Sequence, residues 1–181
     1  MAKRLLLTAM IALPLALMPK MAAGQASKSA PERERTELAK DDITTLMIMV
    51  GRRPVVEQDW RMERIWEDMA GSQTPRSDFF FCTGYAYLGN YKAQACLGNA
   101  YENGRGVQRH VADAYVWYSI ALDNPINDEV DRQKIRAGRD RTKKVLLTGT
   151  PARTEKELDG MVKAQKELKI ECLAEIRNTK L

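Results

Sequence analysis

Between residues 93 and 122 the chain alternates bulk with deliberate smallness, and that pattern restricts the fold more than any other stretch. Leu97, Tyr101, Tyr118 and Ala121 recur at helical spacing and supply an apolar seam for two helices. Gly98 and Ala114 remove side-chain bulk where a neighbouring helix would otherwise clash. Gly104-Arg105-Gly106 separates the two helical runs, and two glycines this close permit positive φ angles and a sharp connection. Val107 is placed to pack back over that connection, and Trp117 to fill the space towards the next pair of helices. The reading is a tight helical hairpin, with helices over 91–103 and 111–122.

The order Ala93-x-x-x-Leu97-Gly98-x-x-Tyr101-x-x-Gly104-x-Gly106-Val107, followed by Ala114-x-x-Trp117-Tyr118-x-x-Ala121, resembles the Sel-one-like repeat, a relative of the tetratricopeptide repeats. Residues 83–95 are similar to a tetratricopeptide-type helix end, turn and helix start, and the segment from Arg139 to Leu147 to the tail that closes such arrays. The resemblance implies an all-α fold of short antiparallel helix pairs stacked into an α/α solenoid. It also implies a role in binding other proteins. His110 departs from the pattern, standing where the family has an Asp that caps the second helix. Only one complete repeat is present, whereas a lone hairpin cannot bury its own faces. The flanking helices at 55–70, 78–88, 128–147 and 154–177 are therefore expected to serve as degenerate repeats or caps.

Helical periods continue on both sides. Asp41 and Asp42 are candidate caps for a helix over 43–50, although Thr44 to Val50 also reads as a short strand. Val55, Met62, Trp66 and Met69 share one helix face that runs out at Gly71. Ser77 or Asp78 is the candidate cap of a helix through Phe79, Cys82, Tyr85 and Ala86, turned at Gly89-Asn90. Asn127 or Asp128 opens a charged helix reaching Leu147. Thr154 and Glu157 have capping-box spacing, ahead of an apolar face of Leu158, Met161, Val162, Leu168, Cys172 and Ile176.

The first residues speak to location. Lys3 and Arg4 precede an apolar run from Leu5 to Met18, and small residues follow at Ala22, Ala23, Gly24 and Ala26. Positive, apolar and small regions in that order describe a cleavable signal peptide over 1–26. The run is too short to cross a bilayer, so no stable membrane insertion is expected after cleavage. Residues 27–40 are polar and charged and read as a flexible leader to a domain over 41–181. The whole chain carries a net charge of +5, which drops to +2 once Lys3, Arg4 and Lys20 are removed. Near balance argues against nucleic acid as a partner. The expected location is periplasmic or secreted.

An oxidising compartment permits disulfides. Cys82 and Cys96 fall on consecutive helices with about one turn, roughly 5 Å, of register offset, which leaves a bridge open beside pairing with Cys172 or free thiols. Cysteine-rich members of the resembled family staple their hairpins in this way, which favours Cys82–Cys96. One His and three Cys are too few for a dedicated zinc module, and neither a metal site nor a cofactor is expected. Arg132, Arg136, Arg139 and Lys143 recur along one helix face, widened by Lys134, Arg141 and Lys144. They are the candidate partner-binding stripe, or else a solvated outer face with Ile135, Gly138, Thr142 and Val145 turned inward. No aromatic residue interrupts the stripe, unlike a nucleic-acid stacking platform. Phe79 to Phe81, with Trp60 and Trp66, read as core. His110 has no nucleophile or acidic orienter fixed beside it by sequence, and no catalytic residues emerge. The expected function is that of an exported, non-catalytic adaptor or regulator in the bacterial envelope. The resemblance leaves two others: weak binding or hydrolysis of β-lactams, although no Ser-x-x-Lys motif is present, and a secreted effector acting on host proteins.

Overall fold

A computed structural model describes residues 38–52, 55–68 and 71–178, with the side chains of residues 55–59 excepted. The signal peptide expected at 1–26, most of the leader and the positions of Val55 and Met69 on a helix face lie outside what is described. Among the described residues all regular structure is helical. The elements are α1 (Lys40–Gly51), α2 (Val55–Glu67), α3 (Pro75–Tyr87), α4 (Tyr91–Asn103), α5 (Val111–Leu122), α6 (Glu129–Thr148) and α7 (Glu155–Asn178).

Local chemistry explains most of the boundaries. Asn90 caps α4 by accepting from the Ala93 amide at 3.0 Å, and Asp128 caps α6 by accepting from Val130 and Asp131. At the head of α7 the Thr154 amide donates to the Glu157 carboxylate at 2.6 Å, and the Glu157 amide donates back to the Thr154 hydroxyl. These hydrogen bonds hold the Glu157 carboxyl below its ordinary range. Gly104 closes α4 in the left-handed region at φ +70°. Gly106, at φ +72°, could not carry a Cβ, which would lie 2.3 Å from the Pro75 carbonyl oxygen.

Three helix boundaries differ from the sequence reading. The segment from Thr44 to Val50 is helical, so the strand alternative falls away. Its helix begins at Lys40 with Ala39 at the cap, one residue inside the stretch read as leader. Asp41 and Asp42 lie in the first turn, where they face the positive end of the helix dipole. Leu38 packs against the core. α2 stops at Glu67, short of Gly71, whose amide donates to Asp68 at 2.9 Å. α3 opens at Pro75, not at Ser77 or Asp78, because the fixed φ of proline suits the first helical position. Asp78 is instead buried and accepts from the Ser72 hydroxyl.

α3 packs on α4, α4 on α5 and α5 on α6, while α1 packs on α3 and α2 on α4. α7 returns across α5, α1 and α3. The main core combines Ile43, Met47, Phe79, Phe81, Leu97 and Trp117 with Leu158 and Cys172 of α7. A second core of Trp66, Ala95, Ala114, Tyr118, Ala121 and Ile135 joins α2, α4, α5 and α6. Cys82 and Cys96 are disulfide-bonded across α3 and α4, with Cα atoms 6.3 Å apart, and Cys172 is a buried free thiol. Trp60, expected in the core, is half exposed, with Arg64 stacked over its ring.

The second core is organised around Tyr118. A Cβ at Gly98 would lie 2.7 Å from its ring and a Cβ at Gly138 would lie 2.5 Å from it, so α4 and α6 close on the two sides of one phenol. The Tyr118 hydroxyl donates to Glu102 at 2.8 Å, and Glu102 also accepts two 3.0 Å hydrogen bonds from Arg141. Burial and the Glu102 carboxylate push the Tyr118 hydroxyl above the ordinary phenol range. Gly138→Ala should therefore cost about 1–3 kcal/mol, since the ring has no free side to move towards. Combining it with Tyr118→Leu should cost less than the two single changes together. Chemical denaturation of the four proteins measures this, and strict additivity would contradict the clamp.

A polar node supports the same core. Asp131, almost fully buried, accepts from Trp66 Nε1 at 2.6 Å and from the Tyr91 hydroxyl at 2.8 Å. Lys92 approaches it to 3.7 Å while contacting Glu63 at 2.5 Å, which ties α2, α4 and α6 together.

Candidate functional site

The basic stripe of α6 lies on the outside and is largely neutralised. Arg132 contacts Glu129 at 3.5 Å and donates to the Ile126 carbonyl; Arg139 pairs with Asp140, and Lys143 with Glu155 of α7 at 2.8 Å. Arg141 is committed to Glu102, and Lys134 sits 4.2 Å from the centre of the Trp66 ring. Among the described residues, Arg136 and Lys144 carry no ion pair. Ile135, Gly138 and Thr142 are buried as expected, but Val145 is 49% exposed and Leu146 packs inward in its place. At about 100° per residue, Leu146 lies roughly 40° from Thr142 around the helix and Val145 roughly 60°. Reversing charge at Arg136 and Arg139 should leave thermal stability within about 0.5 kcal/mol of the parent. A larger loss in a thermal melt would mean that these side chains bear on the core.

A second feature lies on the other side of α5. The return of α7 over α1, α3 and α5 leaves a cleft of about 240 Å³. Its walls include four aromatic side chains, Phe79, Tyr87, Tyr101 and Trp117, with Leu97 and Ile43 among them. The Tyr87 and Trp117 rings meet edge-on at 5.3 Å, as do those of Phe79 and Tyr101 at 5.6 Å. Gln165 of α7 donates to the Tyr87 hydroxyl at 2.7 Å, while the Thr83 hydroxyl donates to the Phe79 carbonyl at 2.8 Å. Burial pushes the Tyr87 hydroxyl above the ordinary phenol range, although the Gln165 hydrogen bond opposes this. Among the described residues Asp113 is the only charged side chain lining the cleft.

Asp113 comes with His110, whose Nδ1 lies 2.6 Å from Asp113 Oδ2 and 3.3 Å from the Asp113 amide. One nitrogen cannot both donate to the carboxylate and accept from the amide. The shorter contact is attractive only with a proton on Nδ1, so the ring donates to Asp113 and the cap is a long, secondary contact. Sequence spacing already places His110, at the cap, three residues ahead of Asp113, but spacing alone does not show that the ring turns to the carboxylate. Nothing in the sequence links Gln165 to Tyr87, which are far apart in the chain and adjacent only because α7 returns.

The residues singled out by the repeat pattern line both cores: Leu97, Ala114, Trp117 and Tyr118 are buried, and Tyr101 is half-buried against Phe79. Among the described residues no cluster of three or more His, Cys, Asp or Glu side chains could hold a metal ion, and no helix is long and apolar enough to cross a membrane. No family model, curated protein or solved structure matches the chain.

Proposed function

We propose that this chain is an exported helical-repeat protein of the Sel-one-like type, built from antiparallel helix pairs stacked as a short solenoid. It acts without catalysis as a protein-binding adaptor or regulator in the bacterial envelope. The observation that carries this reading is that four helices pack on the one two places further along: α1 on α3, α2 on α4, α4 on α6 and α5 on α7. Stacked helix pairs produce that relation, and each pair then has a neighbour to cover its apolar face. Buried Asp131 and Gln94 and half-buried Glu102 are also occupied in joining helices. The apolar start of the chain supports export, and on the largely neutralised outer face of α6 Arg136 and Lys144, without an ion pair among the described residues, are placed to meet an acidic partner.

The test is affinity capture from envelope extract with the tagged mature protein, identified by mass spectrometry against a cytoplasmic-lysate control. One or two specific envelope proteins should be recovered and then lost when Arg136 and Arg139 are reversed to Glu. Recovery of the same proteins from both extracts, or none from either, contradicts the adaptor reading.

A further inference from the structure

We propose that the cleft between α7 and the helices α1, α3 and α5 binds a primary ammonium group carried on a short alkyl stem. The inference stands on the cleft itself and does not depend on the adaptor reading. Aromatic faces attract cations through their quadrupoles, and the four rings here surround a space whose only charged lining group, among the described residues, is a carboxylate. His110 engages Asp113 through Oδ2, which leaves Oδ1 for a second donor. Gln165 uses its amide N–H on Tyr87 and Thr83 uses its hydroxyl proton on Phe79, so each keeps an oxygen able to accept. Asp113, Gln165 and Thr83 thus offer three acceptor oxygens, and an ammonium group supplies three donors and no acceptor.

The alternatives fit less well. An anion would be repelled by Asp113, and a neutral apolar molecule would strip water from that carboxylate without replacing its hydrogen bonds. At about 240 Å³ the space falls below the range of drug-sized sites and suits a few methylenes rather than a large scaffold. A free diamine and the lysine side chain of a partner protein share this chemistry.

The experiment is calorimetric titration of the full chain with 1,5-diaminopentane and with Nα-acetyl-lysine methylamide, followed in parallel by the indole N–H resonances. 1-Pentanol and pentanoate are the controls. At least one amine should bind and shift the Trp117 resonance while leaving that of Trp60 in place. Tighter binding of the diamine assigns a free amine as the ligand, and tighter binding of the lysine amide assigns a side chain. Asp113→Asn should weaken binding by about tenfold, the scale of one lost charge-assisted contact, while Asp159→Asn, exposed and outside the cleft, should not change it. Because Asp113 lies in the first turn of α5, Gln165→Leu on α7 gives an independent variant, expected to weaken binding several-fold with an unchanged circular dichroism spectrum. The proposal is overturned by the absence of amine binding up to about 10 mM, beyond which no specific site is being read. It is equally overturned by undiminished binding in both variants, or by controls that bind as well as the amines.

Discussion

Replacing Trp117 with Ala should destabilise the protein by about 3–5 kcal/mol, the usual cost of emptying a large aromatic site. The indole is only 4% exposed and packs edge-on against Tyr87 of α3. It also lines the cleft with Gln165 and Leu168 of α7, so its loss bears on both α3 and α7. The cleft lowers the expected value towards the bottom of the range, because one side of the ring already faces open space. Trp117→Phe, which retains a ring against Tyr87, should lose markedly less. Urea denaturation of the three proteins measures this, and a shift for Trp117→Ala within experimental error would remove Trp117 from the core.

The second large effect belongs to the Cys82–Cys96 disulfide, which spans a sequence separation of 14 residues. Closing a loop of that size removes unfolded-state entropy worth about 3 kcal/mol. The double replacement Cys82→Ser/Cys96→Ser should lower the urea midpoint by roughly 1–3 M, given ordinary denaturant slopes. Cys172 is a poor substitute partner because it is fully buried on α7, where burial also raises its thiol above the ordinary range. Equal midpoints for the oxidised parent and the double variant would show that the loop is already restrained without the bond.

Local rules carried much of the fold. Asn90, the Thr154–Glu157 pair and the glycines after α4 each announce a helix end through nearest neighbours, and α4 and α5 fall where the pattern puts them. The failures share a cause. At α3 the sequence reading started the helix at Ser77 or Asp78, whereas Pro75 takes the first helical position and Asp78 is buried, accepting from the Ser72 hydroxyl. Periodicity showed that Gly98 needs a close neighbour but not that Tyr118 is that neighbour, nor that Gly138 presses on the same ring. Val145 and Leu146 are both apolar, and only the position of the core distinguishes them. The cleft was hidden for the same reason: an apolar face on α7 states that something covers it, not that α1, α3 and α5 do.

The proposed ammonium site depends entirely on the way α7 seats on those three helices. The most direct test is a methyl–aromatic nuclear Overhauser spectrum of the folded protein with labelled leucines and assigned aromatic rings. The account predicts cross-peaks from the Leu168 methyl groups to the rings of the cleft they line together, Trp117 and Tyr87 first among them. If Trp117 instead shows contacts only to residues of α3, α4 and α5, and none to α7, the last helix lies elsewhere and the cleft does not exist.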